Sequence, residues 1–320
     1  MIYKSLNDNH MNNINRIKVA IIGLVSFFTL QLQAQQDVML TQYSSALQLT
    51  NPAYAGTSGR LNAMAIIRNQ WVGFEGAPKS QVLLVNSPFL RYHLGVGLTL
   101  IRDEIGPNKQ TTFYANVAYN FNLTSNIKLS MGLSGGFNVK KIDINSLGPV
   151  SLNDPAYNLT DQMDFLPNFG TGVYIYSSKF YLGLSTPKLI KNNYEETNAS
   201  TNSGGEEQHF FVIGGYLFNV GESWKGKPSF SLKMVKGAPL SVDLTVNAIY
   251  KDKFWFGVMY RLEDAVGAIF QYQITERLRM GYSYDLPLSE MRKNTTGSHE
   301  ILISYDLVFK DKKIVTPRYF

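Results

Sequence analysis

Few side chains of this sequence are of the types that carry out chemistry, and those few are far apart. The chain contains no cysteine, and its four histidines are His10, His93, His209 and His299. None of them has a second histidine or a carboxylate at the spacing of a metal site, and the chain has no GxSxG, P-loop or GxGxxG motif. The lack of cysteine excludes disulfides, thiolate metal sites, cysteine nucleophiles and lipid attachment to cysteine. We therefore expect no cofactor, no metal and no enzymatic activity.

Two groups of polar residues leave alternatives open. Ser304 and Asp306 lie near His299 and could imitate part of the site of a lipid-modifying enzyme, but polar residues facing a barrel interior are the simpler interpretation. The stretch from Asn153 to Asp164 contains three carboxylates that could bind calcium. Its spacing fits no recognised calcium-binding loop, so we expect an ordinary solvated loop there.

The composition favours a membrane protein over a soluble one. Of the 320 residues, 17% are charged and 13% are aromatic, and the net charge is +6. Low charge combined with many aromatic residues is unusual for a soluble chain. Lysine and arginine are scattered rather than gathered in a stripe, so the basic balance predicts no nucleic-acid partner. No feature indicates a small-molecule substrate.

The N-terminus is typical of an exported protein. Two basic residues precede an apolar run over residues 19–30, and Ala34 provides a small residue for cleavage. We expect residues 1–34 to form a signal peptide, with Met11 as an alternative start. A membrane anchor is the other interpretation, but the run is shorter than the roughly 20 residues that a spanning helix needs.

Beyond residue 58 the sequence alternates between apolar and polar residues. In one segment the apolar set is Phe113, Ala115, Val117, Tyr119, Phe121 and Leu123, with mostly amides between. Such alternation predicts strands that have one apolar and one polar face. We expect about 14 strands, near residues 60–71, 80–87, 93–102, 111–123, 127–140, 168–177, 179–186, 208–220, 228–236, 239–250, 254–262, 265–275, 277–286 and 299–309.

Loop lengths and the placement of charge indicate how these strands are arranged. The even-numbered connections are tight, whereas the long connections, over residues 141–167, 187–207 and 287–298, are all odd-numbered. Outer-membrane barrels have this alternation, with short periplasmic turns and both termini in the periplasm. Five basic residues fall on the polar phase of the strands: Lys128, Lys140, Lys233, Arg261 and Arg279.

The predicted fold class is therefore all-β, a transmembrane antiparallel β-barrel located in the outer membrane. A soluble β-sandwich also alternates, but faces so rich in aromatic residues would be hard to keep in solution. On a lipid-facing surface, a lysine or arginine at mid-depth would cost about 2–4 kcal/mol. We expect a signal peptide over 1–34, a periplasmic or plug segment over 35–58, the barrel over 59–309 and a basic periplasmic tail over 310–320.

A series of short motifs carries a family resemblance. The stretches are QDVMLTQY (36–43), LTNPAYAG (49–56), RNQW (68–71), FEGAPKS (74–80), LGVGLTLIRDEIGP (94–107) and PRYF (317–320). In this order they resemble the PorP/SprF family of outer-membrane proteins associated with the type IX secretion system of Bacteroidetes. The N-terminal motifs are specific, whereas the pattern beyond Lys141 is common to barrels.

The resemblance implies a non-enzymatic outer-membrane protein that works with the type IX machinery. That machinery exports proteins with C-terminal sorting domains and supports gliding motility and adhesin display. One branch of the family is associated with the periplasmic secretion and motility complex, and the other with large secreted adhesins. The expected partners are therefore secretion components, an adhesin, or both.

The motif positions that the resemblance carries over are Asn51, Pro52, Ala53, Tyr54, Ala55, Gly56, Arg68, Gln70, Trp71, Gly76, Ala77 and Pro78. Pro52 fixes one backbone angle and Gly56 allows positive φ, so together they favour a rigid turn before the first strand. Arg68 and Gln70 share a phase and would point into the lumen, where they could hold the preceding segment. These residues form either a structural plug or a partner-binding surface.

The last motif, Pro317, Arg318, Tyr319 and Phe320, follows the final strand. Either this tail folds back over the periplasmic mouth of the barrel, or Phe320 ends the signal for barrel insertion. Pro317 would break a terminal strand, which favours the first.

The alternative function is that of an outer-membrane porin or hydrophobic-solute transporter, since a barrel of this size can hold either an open pore or a plug. Asparagine, serine, glutamine, glycine and tyrosine dominate the polar phase, so no ion-selective constriction is evident.

Overall fold

The computed structural model describes residues 38–89, 93–143, 163–193, 205–307 and 319. They form a closed antiparallel β-barrel of 14 strands. The strands are β1 (Leu61–Asn69), β2 (Lys79–Phe89), β3 (Leu94–Ile105), β4 (Asn108–Asn122), β5 (Lys128–Ile142), β6 (Met163–Tyr176), β7 (Phe180–Lys188), β8 (His209–Tyr216), β9 (Trp224–Val235), β10 (Ser241–Tyr250), β11 (Phe254–Arg261), β12 (Ala265–Gln273), β13 (Leu278–Pro287) and β14 (Ser298–Leu307). β8 is continued by Phe218–Val220, and a short pair, Asn192–Asn193 with Gly205–Glu206, lies between β7 and β8.

Pairing of the first and last strands closes the sheet. β1 and β14 are antiparallel from Leu61 opposite Leu307 to Asn69 opposite His299. Every other strand pairs with its neighbours in the sequence, and β8 joins β7 to β9. Closure leaves no edge strand, which is the condition for a sheet to span a bilayer. The predicted fold class is confirmed.

The alternation along each strand sets the two faces of the wall. In β10 the side chains of Asp243, Thr245 and Asn247 are buried in the interior, whereas Val246 between them is 60% exposed. Leu133 and Val258, on β5 and β11, are exposed to a similar degree. Apolar side chains exposed over a continuous surface indicate contact with lipid rather than water.

Five basic residues were expected on the interior phase of the strands. Arg261 and Lys140 are buried, and Lys128, Lys233 and Arg279 are partly buried. The alternation therefore assigned both faces correctly.

All predicted strands are present, but several extend further than expected. The long connection was expected to run as far as Pro167, yet β6 begins at Met163 and contains Pro167. Pro167 pairs with Phe137 of β5 and lies beyond the β6–β7 ladder, which covers only Thr171–Tyr176 on β6, so no backbone donor is needed on that side. Of the stretch expected to be a solvated loop, Met163 and Asp164 belong to β6, and residues 153–162 lie outside the described residues.

The connections differ between the two ends of the barrel. One end, here the turn end, carries the short connections 123–127, 177–179, 221–223, 251–253 and 274–277. The opposite end, here the loop end, carries 70–78 and 288–297 together with tight turns at 106–107 and 262–264, and the ends of β5 and β7 and the starts of β6 and β8 also lie there. A 3-10 helix, Glu290–Lys293, lies within the last of the long connections.

Within the described ranges, no helix has both the length and the apolar character needed to cross a membrane.

Candidate functional site in the barrel lumen

Residues 38–60, the lumen segment, lie inside the barrel. The segment contains three 3-10 turns, Tyr43–Ser45, Leu47–Leu49 and Pro52–Tyr54. Its apolar side chains pack on inward-facing residues of the wall. Leu40, Tyr43 and Ala46 form one cluster with residues that include Met64, Ile66 and Leu302. Leu47 and Ala53 form a second cluster with Tyr174, Tyr176, Tyr181 and Ile213. The core of the protein is thus the filled lumen.

The NPAYAG stretch makes a capped turn deep in this lumen. Asn51 is extended, as expected before a proline, and its Oδ1 accepts from the Ala53 amide at 2.9 Å. Pro52 takes the first helical position, where no amide donor is needed. The Asn51 side-chain amide donates to the Val173 carbonyl of β6 at 3.1 Å. Asn51 therefore both shapes the turn and fixes it to the wall.

Glycines in the wall allow the backbone of the lumen segment to approach closely. A Cβ added at Gly132 of β5 would lie 2.4 Å from the Ala53 nitrogen, and one at Gly95 of β3 would lie 2.0 Å from the Ala55 carbonyl oxygen. Gly56 has φ +75, and a Cβ there would lie 2.4 Å from the Gly95 Cα. The turn therefore fits only a wall without side chains at these positions.

The wall strands β3 and β5 contain the glycines Gly95, Gly97, Gly132, Gly135 and Gly136. Gly135 lies against Phe169 and Gly136 against Phe113, so these two serve packing within the wall. The other three lie against the lumen segment, and Gly97 meets the side chain of Gln48. Sequence alternation places a glycine on the interior face but does not identify what it contacts.

Tyr54 and Gly56 make the remaining contacts of the motif. The Tyr54 ring meets the Tyr174 ring edge-on at a centroid distance of 5.8 Å. The Gly56 amide donates to Asn86 Oδ1 of β2 at 2.8 Å. Within residues 51–56, every residue except Tyr54 is buried. This half of the motif is therefore enclosed by the barrel.

A buried ionic cluster holds the beginning of the lumen segment near the loop end. The Arg68 guanidinium of β1 donates to Asp285 of β13 at 2.7 Å, to Glu300 of β14 at 3.2 Å and to the Thr41 hydroxyl at 2.7 Å. Glu300 also accepts from the backbone amides of Thr41 and Gln42, at 2.9 and 3.0 Å. The charged side chains of the cluster are at most 3% exposed. Two carboxylates against one guanidinium leave a negative excess, which these amides and the Thr41 hydroxyl help to stabilise.

Sequence reasoning placed Arg68 in the lumen but missed its partners. Asp285 and Glu300 fall on the polar phase of their strands, and only strand pairing brings them to Arg68: Glu300 is directly opposite Arg68 in the β1–β14 register. Gln70, expected beside Arg68, lies beyond the end of β1, and its backbone amide donates to the Pro78 carbonyl at 2.9 Å.

Two further contacts fix the segment. The Tyr43 hydroxyl donates to the Ser229 and Asp243 carbonyls at 3.1 and 3.2 Å. Burial raises the pKa of Tyr43 well above its ordinary value, so the hydroxyl stays protonated and remains a donor. Arg261 of β11 binds Asp243 at 2.7 Å and donates to the Leu40 carbonyl at 3.3 Å.

The second half of the motif braces the loop end. Trp71 has φ 48, and its amide donates to the Ser298 hydroxyl at 3.2 Å. The Val72 amide donates to the Gly297 carbonyl at 2.8 Å, and Gly76, at φ +74, accepts from the Gly106 amide at 2.9 Å. Ala77 and Pro78 complete this connection before β2. Residues 70–78 are thus hydrogen-bonded to two other connections of the loop end, 106–107 and 288–297.

His299, Ser304 and Asp306 do not come together as a hydrolytic site. His299 is on the outer face, where its Nδ1 is 2.7 Å from the Tyr282 hydroxyl, whereas Ser304 faces the lumen and accepts from Asn62 at 2.8 Å. Asp306 also faces the lumen and binds Arg60 at 3.1 Å. The wall therefore separates the histidine from the serine. Among the described residues, no group of three or more histidines and carboxylates is placed to hold a metal ion.

Of the tail motif, the structure describes Tyr319 alone. It contacts inward-facing residues at the turn end, including Lys225 and Lys227 of β9. Pro317, Arg318 and Phe320 lie outside the described residues.

A closed antiparallel barrel with an apolar outer face and a polar, occupied lumen is an outer-membrane β-barrel protein. Residues 32–305 match the model of the family described as type IX secretion system membrane protein PorP/SprF, and the chain belongs to this family. The resemblance carried by the sequence motifs is confirmed. The protein is accordingly an outer-membrane component of a type IX secretion system.

Solved structures of other outer-membrane proteins resemble this barrel at low identity. The Ralstonia pickettii toluene transporter TbuX has a TM-score of 0.49 and 10% identity over 82% of this chain and 93% of that chain. The Acinetobacter baumannii outer membrane protein Omp33 has a TM-score of 0.45 and 8% identity over 78% and 98%. At these scores neither similarity bears on substrate or activity. No curated protein matches the sequence.

Proposed function

We propose that this chain is a non-enzymatic accessory of the type IX system that assists export or surface attachment of a sorting-domain protein such as a gliding adhesin. The other role within this proposal is that the protein links to the periplasmic secretion and motility complex. The observation that carries the proposal is the filled lumen, in which residues 38–60 are fixed by glycine contacts and a buried ionic cluster.

A filled lumen directs partner binding to the two ends of the barrel. Cavities of about 140 and 70 Å³ lie beside the lumen segment. Each has room for only a few water molecules and is far smaller than a folded domain. A protein cargo therefore does not pass through this barrel, and it would have to be engaged at a rim.

Of the two rims, the loop end is the better preorganised for binding a partner. Its connections 70–78 and 288–297 are joined by backbone hydrogen bonds such as Val72 to Gly297. A braced rim loses less conformational freedom on binding than separate loops do, which favours affinity.

The proposal also includes export of the chain by a cleaved signal peptide. Residues 1–34 are a signal peptide cleaved near Ala34, which leaves the lumen segment at the start of the mature protein. N-terminal sequencing of protein purified from outer membranes tests this, and a sequence beginning at residue 1 would contradict it.

The function is tested by an in-frame deletion of the gene with quantitative proteomics of the medium and the cell surface. We expect at least one sorting-domain protein to fall tenfold or more at the surface, and the wild-type gene to restore it. Unchanged export and display of every such protein would refute the proposal. Affinity purification from native outer membranes then identifies the partner.

A further inference from the structure

The turn end of the lumen contains a pocket that the proposed function does not use. It has a volume of about 70 Å³ and is lined by residues of the wall and of the lumen segment. Lys227, Trp255 and Arg279 contribute from the wall, and Ser44 from the lumen segment. Tyr319 also lines this pocket.

The polar atoms of Tyr319 are bound by two lysines of β9. The Lys227 ammonium donates to the Tyr319 backbone carbonyl at 2.5 Å, and Lys227 is 5% exposed. The Lys225 ammonium donates to the Tyr319 hydroxyl. It also donates to the Asp252 carboxylate, at 2.6 Å. Lys225 also lies 4.5 Å from the centroid of the tyrosine ring. Backbone, hydroxyl and ring face are therefore all contacted.

An apolar surface receives the ring. Tyr319 packs against the cluster of Leu217, Ile249 and Trp255, each buried. An apolar surface beside polar partners suits tyrosine, whose ring is apolar and whose hydroxyl needs a partner. A cation over the ring face adds a favourable interaction.

Tyr319 is connected to the lumen segment through one side chain, that of Lys227. Besides Tyr319, the Lys227 ammonium contacts the Ser44 carbonyl at 3.4 Å. Ser44 belongs to the Tyr43–Ser45 turn, whose Tyr43 is fixed to β9 and β10. The same ammonium group thus donates to Tyr319 and to the lumen segment.

We infer that the turn end of the lumen is a binding site for a tyrosine within a peptide segment, occupied in this structure by Tyr319 of the same chain. The site recognises a carbonyl, a phenol hydroxyl and an aromatic ring together. This inference is independent of the secretion role.

Peptide binding to an emptied pocket tests the inference. The Tyr319→Ala chain, in a Trp71→Phe, Trp224→Phe background, keeps Trp255 as the single tryptophan reporter inside the pocket. It is titrated with a peptide of residues 314–320, and with the same peptide carrying Tyr319→Ala. We expect saturable binding of the first peptide, at least tenfold tighter than to the chain that retains Tyr319, and at least tenfold weaker binding of the second.

Matched lysine variants separate the pocket from general charge effects. Lys227→Met in the emptied chain should weaken the first peptide at least tenfold, whereas Lys253→Met, at an exposed turn of the same end, should leave binding unchanged. Equal binding of the two peptides, or equal binding by the Tyr319 and Tyr319→Ala chains, would overturn the inference. If Lys227→Met does not fold, those two peptide comparisons decide the question.

Discussion

At the scale of single residues, the contact between the lumen segment and the wall depends on glycines in the wall as much as on the side chains that make contacts. Gly132 and Gly135 of β5 show the difference. Gly132 faces the lumen segment, and Gly135 faces outward against the side chain of Phe169, 3.5 Å from the position of its would-be Cβ. The two glycines thus form a matched pair on one strand.

The change Gly132→Ala should destabilise the protein by about 1–3 kcal/mol, the usual range for an overpacked core. The added methyl would sit 2.4 Å from the Ala53 nitrogen, and neither backbone can move away without breaking strand or turn contacts. Gly135→Ala should change stability by less than about 0.5 kcal/mol. Urea unfolding of the refolded barrels measures both changes in stability. Equal effects would show that residues 38–60 are not in close contact with β5 at Gly132.

The buried ionic cluster makes a second residue-scale prediction. Glu300→Ala removes the acceptor of two backbone amides and one partner of Arg68. Arg68 keeps Asp285 as its partner, so the cost comes mainly from the buried amides of Thr41 and Gln42, which lose their acceptor at about 1–3 kcal/mol each. We expect a loss of that size in the free energy of unfolding.

The control for that variant is Glu290→Ala. Glu290 pairs with Lys293 on the surface of the loop end, and its side chain is 88% exposed. Exposed pairs contribute little, so this change should fall within about 0.5 kcal/mol of wild type. A Glu300→Ala protein as stable as this control would show that the cluster does not anchor the lumen segment.

At the scale of elements, the two halves of the motif have different surroundings, so their variants should fail differently. Gly56 and Gly76 both have positive φ, where a β-branched residue is strained by about 1–2 kcal/mol. A Cβ at Gly56 would also collide with Gly95, whereas one at Gly76 would meet only Gly106, at 3.5 Å. Gly56→Val should therefore reduce the yield of folded barrel at least tenfold.

Gly76→Val should leave a folded barrel and lower surface display of the cargo, because the strain is confined to residues 70–78. Heat-modifiable migration on gels reports folding, and surface labelling reports display. The reverse outcome, a folded but inactive Gly56→Val and an unfolded Gly76→Val, would contradict the division between an internal and a rim half.

The elements also show what the sequence could predict. Strands such as β10 were predictable because lipid on one side and a polar lumen on the other impose strict alternation on Ser241–Tyr250. The ends of β6 were less predictable, because whether Pro167 fits depends on where the neighbouring ladder stops. The path of residues 38–60 was not predictable, since its 3-10 turns lack periodicity and are fixed by distant partners such as Asp285 and Glu300.

At the scale of the whole molecule, the chain is a barrel whose interior is filled by its own residues 38–60. The wall supplies glycines, tyrosines and buried charge to the lumen segment, and the outer face supplies the apolar surface that lipid requires. This arrangement suits an accessory of a secretion machine better than a diffusion channel, because the space that a solute would use is taken by protein.

Conductance in planar bilayers tests that central claim most directly. The purified wild-type barrel, refolded with residues 38–60 in place, should give no steady conductance of the size expected for an open barrel of 14 strands. The Glu300→Ala variant, in which the beginning of the lumen segment is released, should show intermittent openings if it inserts. A steady, solute-permeable conductance from the wild-type protein would contradict the account and favour a porin or solute transporter.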